Sequence, residues 1–404
     1  ALRPGGPGEV RRALALSLLL VAALPLAVAA QAPPRPAATA PGAAPQAEAP
    51  RARMVPDDRP RHAGPDRAAG AVLWSHAGDS PRPTDPAVPP FVDVLRAAGN
   101  DVFRLERPPQ GDTIAAGVAA VVASARDLRM RGYRRIVLAG QSAGGWISLA
   151  AVASAPGLAE AVIATAPAAY GSRTADAARA ERNRDELLRI LGAVRDTRVM
   201  LFFFDADDFD PGGRGEAVAA LLGRRGVPHL LVDRPGLFRG HGVGLTSGFA
   251  RHYGGCILAF LDVPDPAQLD CDETPPAAVP WRFTGLPDSL PGPANDNSPL
   301  GRFAGAWQGS LDNGDDVMLV VEGGSSTRVA ARFARGRSRL TKADQPFSQR
   351  RTGRLDDATG DLVFAPSQGL SLRATPPREG ALRLEVETTD GKRQYRGLLR
   401  ALSP

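Results

Sequence analysis

The chain changes its hydrophobic rhythm twice. From about residue 69 to 262, short apolar runs alternate with longer stretches in which apolar residues recur every three to four positions. The runs 71–75, 101–105, 135–139, 161–164, 199–204 and 229–232 read as strands, and 91–98, 144–153, 175–194, 215–225 and 247–260 as helices. The clearest helix lies between the second and third strands. Ile114, Val118, Val121, Ala125 and Leu128 share one face, Asp112 offers an N-cap, and Gly132 a stop. Strands alternating with helical patterns predict βαβ units: an α/β fold with a doubly wound, mostly parallel sheet and helices on both faces.

After residue 262 the pattern breaks. Residues 263–299 are dense in Pro and Asp and read as a linker. From 300 to 404 the helical period is gone. Alternating segments recur at 306–311, 317–321, 328–334, 349–355, 362–365, 370–374, 382–387 and 395–399, separated by turn chemistry such as Asp312-Asn313-Gly314 and Thr389-Asp390-Gly391. This predicts a C-terminal all-β antiparallel domain, a barrel or a sandwich.

The N-terminal stretch carries another signal. Arg11 and Arg12 precede an apolar run that Pro25 interrupts, and small residues follow at 27–30. Residues 1–30 therefore read as a signal peptide, too short and broken for a stable membrane span after its removal. Residues 31–68, rich in Ala, Pro and Arg without periodicity, read as a disordered linker. The expected location is outside the cytoplasm, periplasmic or extracellular. There the only two cysteines, Cys256 and Cys271, are able to pair and pin the second linker to the last helix.

Charge changes the picture little. The net charge is +6, and Arg residues are spread along the chain instead of forming a basic stripe, so no nucleic-acid partner is expected. Neither a metal-ligand cluster nor a phosphate loop stands out, and no cofactor is implied.

The chemistry concentrates at Gly140-Gln141-Ser142-Ala143-Gly144, directly after a strand and directly before a helix. A serine on that turn is lifted above the carboxyl edge of the sheet in a strained conformation. Small residues two positions to either side avoid clashes, and the next backbone N–H stands at a helix N-terminus, aimed at a developing oxyanion. The sequence here resembles the α/β-hydrolase superfamily, in its dienelactone-hydrolase-like and esterase branches, over roughly residues 71–261. The resemblance implies a serine nucleophile, then an acid, then a histidine, each following a strand.

Under that resemblance Ser142 is the nucleophile and His241, between Gly240 and Gly242, the base. The acid falls in the run 205–210, where four aspartates crowd one turn. The family commonly has Gly three positions before the acid; aligning that position to Asp205, where this sequence has no Gly, selects Asp208, and the following Pro211 fits Asp207 as the alternate. The oxyanion donors would be the amide of Ala143 and one near Ala77 or Gly78, in the loop 76–79. Trp74, Tyr170 and Phe238 are candidate pocket walls, with core packing an equal expectation. Gly305-Ala306-Trp307 resembles the opening strand of lipocalin-like barrels.

The expected activity is hydrolysis of small carboxylic esters through an acyl-enzyme. Peptide or thioester hydrolysis would use the same residues. An exported binding protein on a degenerate hydrolase fold is the reading from another class.

Overall fold

The computed structural model describes residues 51–57, 60–78, 88–109, 112–171, 177–210, 214–291, 298–336 and 346–402. The expected signal peptide and the first part of the linker after it lie outside these residues. Among the described residues no helix is long and apolar enough to cross a membrane.

The first sheet has seven strands: β1 (Arg53–Pro56), β2 (Gly70–Ser75), β3 (Asn100–Glu106), β4 (Ile136–Gln141), β5 (Ala161–Thr165), β6 (Arg198–Phe203) and β7 (His229–Asp233). Their order is β1-β3-β2-β4-β5-β6-β7. All neighbours run parallel except the edge pair β1 and β3. Six helices complete the layers: α1 (Pro90–Ala97), α2 (Ile114–Met130), α3 (Ala143–Ser154), α4 (Ala177–Leu191), α5 (Arg214–Arg224) and α6 (Ser247–Asp262).

The apolar runs are continuous because the central strands are buried on both faces. In β4, Ile136 and Leu138 belong to the core with α2, α3, α4 and α5, while Val137 and Ala139 belong to the core with α1 and α6. β2 and β6 divide the same way, with Leu73 and Leu201 on the first face, Trp74 and Phe202 on the second. The strand order reverses between β2 and β4, and the carboxyl ends of these strands open the crevice where doubly wound sheets bind ligands.

Two sequence expectations need correction here. The linker after the signal ends earlier than residue 68: Arg53–Pro56 pairs antiparallel with β3. His62 rests on Phe103, and its Nε2 donates to the Val102 carbonyl at 2.9 Å. Aperiodicity hid β1, a four-residue edge strand that tolerates its proline because one side carries no ladder. The cap of α2 is Thr113, whose Oγ1 accepts from Ala116 N at 3.1 Å. Asp112 instead pairs with Arg107 at 3.2 Å.

The C-terminal strands are β8 (Gly305–Leu311), β9 (Asp316–Ser325), β10 (Arg328–Arg335), β11 (Phe347–Leu355), β12 (Leu362–Ser367), β13 (Leu370–Ala374), β14 (Ala381–Thr388) and β15 (Gln394–Ala401). They form a closed antiparallel barrel in which each strand pairs with its neighbour in sequence and β15 returns to β8. Of the two architectures the alternation allows, this is the barrel. Its interior is filled by side chains including Phe303, Trp307, Phe333, Leu372 and Leu399. Trp307 donates from Nε1 to the Phe303 carbonyl at 2.7 Å, so its polar edge is satisfied in the core.

The segment between the two parts is strapped down. A disulfide joins Cys256 on α6 to Cys271. Ala277 N donates to the Arg251 carbonyl at 2.8 Å. Phe283, Leu286 and Leu290 then cover Met318 and Val320 on the outer wall of the barrel.

Candidate active site

Ser142 sits between β4 and α3 with φ 55° and ψ −123°. A non-glycine residue rarely adopts a positive φ, and here the surroundings fix it. Ser142 N donates to the Thr165 carbonyl at 3.0 Å, and the Ser142 carbonyl accepts from Trp146 N at 3.0 Å. The flanking glycines are obligatory. A Cβ on Gly144 would overlap the backbone carbonyl of Ser75, and one on Gly140 would overlap the backbone of Gly144. The close approach of β2, β4 and α3 needs bare backbone at both positions.

His241 comes from the loop between β7 and α6. Its Nε2 lies 2.8 Å from Ser142 Oγ, and its Nδ1 lies 2.9 Å from Asp207 Oδ1. The ring of Phe209 stacks on the imidazole at 4.1 Å between centroids. Gln141, the residue before the serine, donates from Nε2 to the His241 carbonyl at 2.9 Å. With Nδ1–H donating to the carboxylate, Nε2 presents its lone pair to the serine hydroxyl. That tautomer accepts a proton from Oγ.

The carboxylate facing His241 is that of Asp207, so the preference for Asp208 is corrected. Position 205, aligned to the family's Gly, does not fix which aspartate turns inward; Ala206, with φ 53°, turns the chain directly before Asp207. Asp205 is meanwhile bridged to Arg239. The turn directs Asp207 inward, where Oδ1 also accepts from Phe209 N at 2.9 Å; Asp208 is half-buried.

The loop after β2 packs against the start of α3: a Cβ on Gly78 would touch Ala143 Cβ at 3.6 Å. Asp79 lies outside the described residues. Arg107, buried at the end of β3, holds this loop from beneath. It donates from Nη2 to the carbonyls of His76 at 2.7 Å and Ala77 at 3.2 Å. Burial, with the Arg107 guanidinium beside it, pushes the His76 imidazole down to about 4, so the ring is neutral at pH 7. Its Nδ1–H donates to the Ala77 carbonyl at 2.5 Å.

Trp74 and Phe238 are core residues, packed with Phe91 and with Phe249 respectively. Tyr170 is half-buried, edge-on to Trp146, and donates from its hydroxyl to Glu186 at 2.6 Å.

Sequence reasoning missed Gln141, Arg107 and Arg214. Arg107 had a usable signal, a charged residue leaving a strand beside the switch point. Gln141 had only its place inside the serine motif. Arg214, fully buried behind the Asp207 turn, had none.

The sheet order, the strained serine between strand and helix, and the histidine loop after the last strand form one arrangement. The fold is that of the α/β-hydrolases.

No protein-family model and no curated protein matches the chain. Among solved structures it is similar to a puromycin-hydrolysing peptidase of Mycobacterium tuberculosis, at 18% identity over 47% of this chain and 34% of that one, with a TM-score of 0.36. It is similar to dipeptidyl peptidase 4 of Porphyromonas gingivalis, at 17% identity over 44% of this chain and 29% of that one, with a TM-score of 0.36. A Pyrococcus furiosus esterase is 15% identical over 48% of this chain and 81% of the esterase, with a TM-score of 0.37. The chain spans about a third of the length of the two peptidases.

Proposed function

We propose that this protein is an exported serine hydrolase that cleaves carboxylic esters through an acyl-enzyme. The observation that carries the reading is the unbroken relay from Asp207 Oδ1 through His241 to Ser142 Oγ, at 2.9 and 2.8 Å. Ser142 Oγ attacks the ester carbonyl as its proton passes to His241 Nε2. The oxyanion is received by the amide of Ala143, at the N-terminus of α3, and by an amide of the 77–78 loop. Collapse breaks the bond to the alkoxy group, which leaves with the proton from His241. Water then repeats the sequence on the acyl-serine: His241 takes its proton, and Ser142 is released with the carboxylic acid. The fixed tautomer comes from Asp207, and the steps need no cofactor.

Export is supported by the expected signal at 1–30 and by the disulfide, a bond that persists in oxidising compartments. The proposed organisation is a hydrolase domain from β1 at Arg53 to residue 262, joined by the segment 263–299 to the barrel over 300–404.

The test is hydrolysis of p-nitrophenyl esters of increasing chain length by the mature protein beside Ser142→Ala. The reading requires activity in the wild type, at least about a thousandfold loss in the variant, and labelling of Ser142 by a fluorophosphonate. A folded wild type that neither hydrolyses nor labels would leave the fold with a binding role.

A further inference from the structure

We infer that the first hairpin turn of the barrel, residues 312–314, is a positioning element for His241. The inference rests on the catalytic reading above and gives the barrel a part in it. The loop that bears His241 is held from its own domain by Gly240 N donating to the Asp205 carbonyl at 2.7 Å, by Gln141 on the His241 carbonyl, by the Phe209 ring on the imidazole and by burial of Phe238 and Val243. The barrel supplies restraints on either side of the histidine. Two residues before it, Arg239 N donates to the Asp312 carbonyl at 2.7 Å. Asp312 is itself fixed, its N donating to the Arg396 carbonyl at 2.7 Å and its Oδ1 accepting from Arg396 N at 3.2 Å.

On the other side, Thr246 closes the loop. Its Oγ1 donates to the Val243 carbonyl at 2.7 Å and accepts from Phe249 N at the start of α6. Gly314, at φ +80°, lies directly against that hydroxyl, and a Cβ there would overlap it. Gly248 faces the same turn: its N donates to the Gly314 carbonyl at 3.3 Å, and a Cβ on it would stand 2.8 Å from that oxygen. Two glycines meeting across a seam bring backbone to backbone. One turn further along α6, Arg251 clamps Asp316 at 2.9 and 3.0 Å while lying 3.2 Å above the centre of the Trp281 ring. The bidentate pair fixes register as well as distance. A relay with contacts near 2.8 Å tolerates little displacement of its histidine, and an error of about 1 Å costs on the order of 100-fold in rate.

The experiment uses the full chain. Gly314→Val pushes the turn off Thr246. Arg251→Met with Asp316→Met removes the clamp without leaving a lone buried charge. Leu372→Ala weakens the barrel on β13, which pairs with neither β8 nor β9. Two readouts are taken on folded protein: kcat and KM on p-nitrophenyl butyrate, and the downfield proton resonance of the His241–Asp207 hydrogen bond, identified by its loss in His241→Ala. The expected result is a fall in kcat of about 100-fold for Gly314→Val and about tenfold for the double variant, with KM little changed and the resonance shifted or lost. Leu372→Ala lowers Tm and keeps both readouts. The double variant decides the matter if Gly314→Val does not fold. Retention of kcat and the resonance in the folded turn and clamp variants overturns the inference, as does an equal loss in Leu372→Ala. A wild type without esterase activity whose resonance is nonetheless lost in the turn variants would sink the catalytic reading and leave the positioning role standing.

Discussion

Arg214 stands behind Asp207. Its Nη2 lies 4.0 Å from Asp207 Oδ2, the oxygen that His241 leaves unused, and its Nε lies 3.1 Å from Asp210. The guanidinium has no exposed surface, donates to the Pro167 carbonyl at 2.9 Å, and lies over the ring of Phe203. Among the described residues Asp207 Oδ2 meets no hydrogen-bond donor, and this cation offsets the burial of its charge. Arg214→Met leaves two buried carboxylates without it. We expect a loss of about 3–5 kcal/mol in urea unfolding. Arg214→Lys restores charge but not the fork, and is expected to recover only part.

The choice of acid is testable directly. Asp207→Asn is expected to lower kcat on the order of 10³–10⁴-fold, because an amide favours the wrong imidazole tautomer. Asp208→Asn is expected to leave kcat nearly unchanged. Equal effects in steady-state assays, or the larger effect in Asp208→Asn, would contradict the assignment.

These two predictions mark where the sequence could be read and where it could not. Every strand of the barrel and every βα unit followed from periodicity, since burial on one face or two writes itself into apolar spacing. Ser142 stood out because bare backbone is required at Gly140 and Gly144, and His241 because it follows Gly240, whose φ of +97° favours glycine. Which aspartate turns inward depends on the left-handed Ala206, a conformation that alanine does not announce. The edge strand β1 left no rhythm, and Arg214 lies far in sequence from the histidine whose partner it supports.

His76 makes stability depend on acidity. The unfolded chain takes up a proton at the ordinary imidazole value of 6.5, whereas the folded chain resists it until about 4. Between those values the unfolded state binds more protons, so stability falls as pH drops through the window, by roughly 3 kcal/mol in total. Denaturant unfolding of wild type and His76→Gln at intervals from pH 7 to 4 checks this. The wild type is expected to show the steeper decline, and parallel curves would refute the assignment.

Gly144 tests the packing beneath the serine. Gly144→Ala drives a methyl group into the Ser75 carbonyl, a backbone atom that cannot rotate away. A loss of about 1–3 kcal/mol is expected in thermal or urea unfolding, together with reduced fluorophosphonate labelling as the 76–78 loop is displaced.

The disulfide between Cys256 and Cys271 closes a loop of 15 residues. The chain-entropy relation assigns such a loop about 3 kcal/mol. Replacing both cysteines by Ala is expected to lower stability by that order, and alkylation of the native exported protein should find no free thiol by intact mass.

Closure of the barrel has a further consequence, for association. A ring of strands has no rim of unpaired backbone, and here seven of its eight seams join strands adjacent in sequence, while the last joins β15 to β8. Losing β15 would therefore cost more than one strand. It would leave β14 and β8 both unzipped, with two rows of free amides and carbonyls where none existed, and free rows of that kind recruit other chains. A protein damaged at that seam would aggregate through the barrel even with its hydrolase half correctly folded.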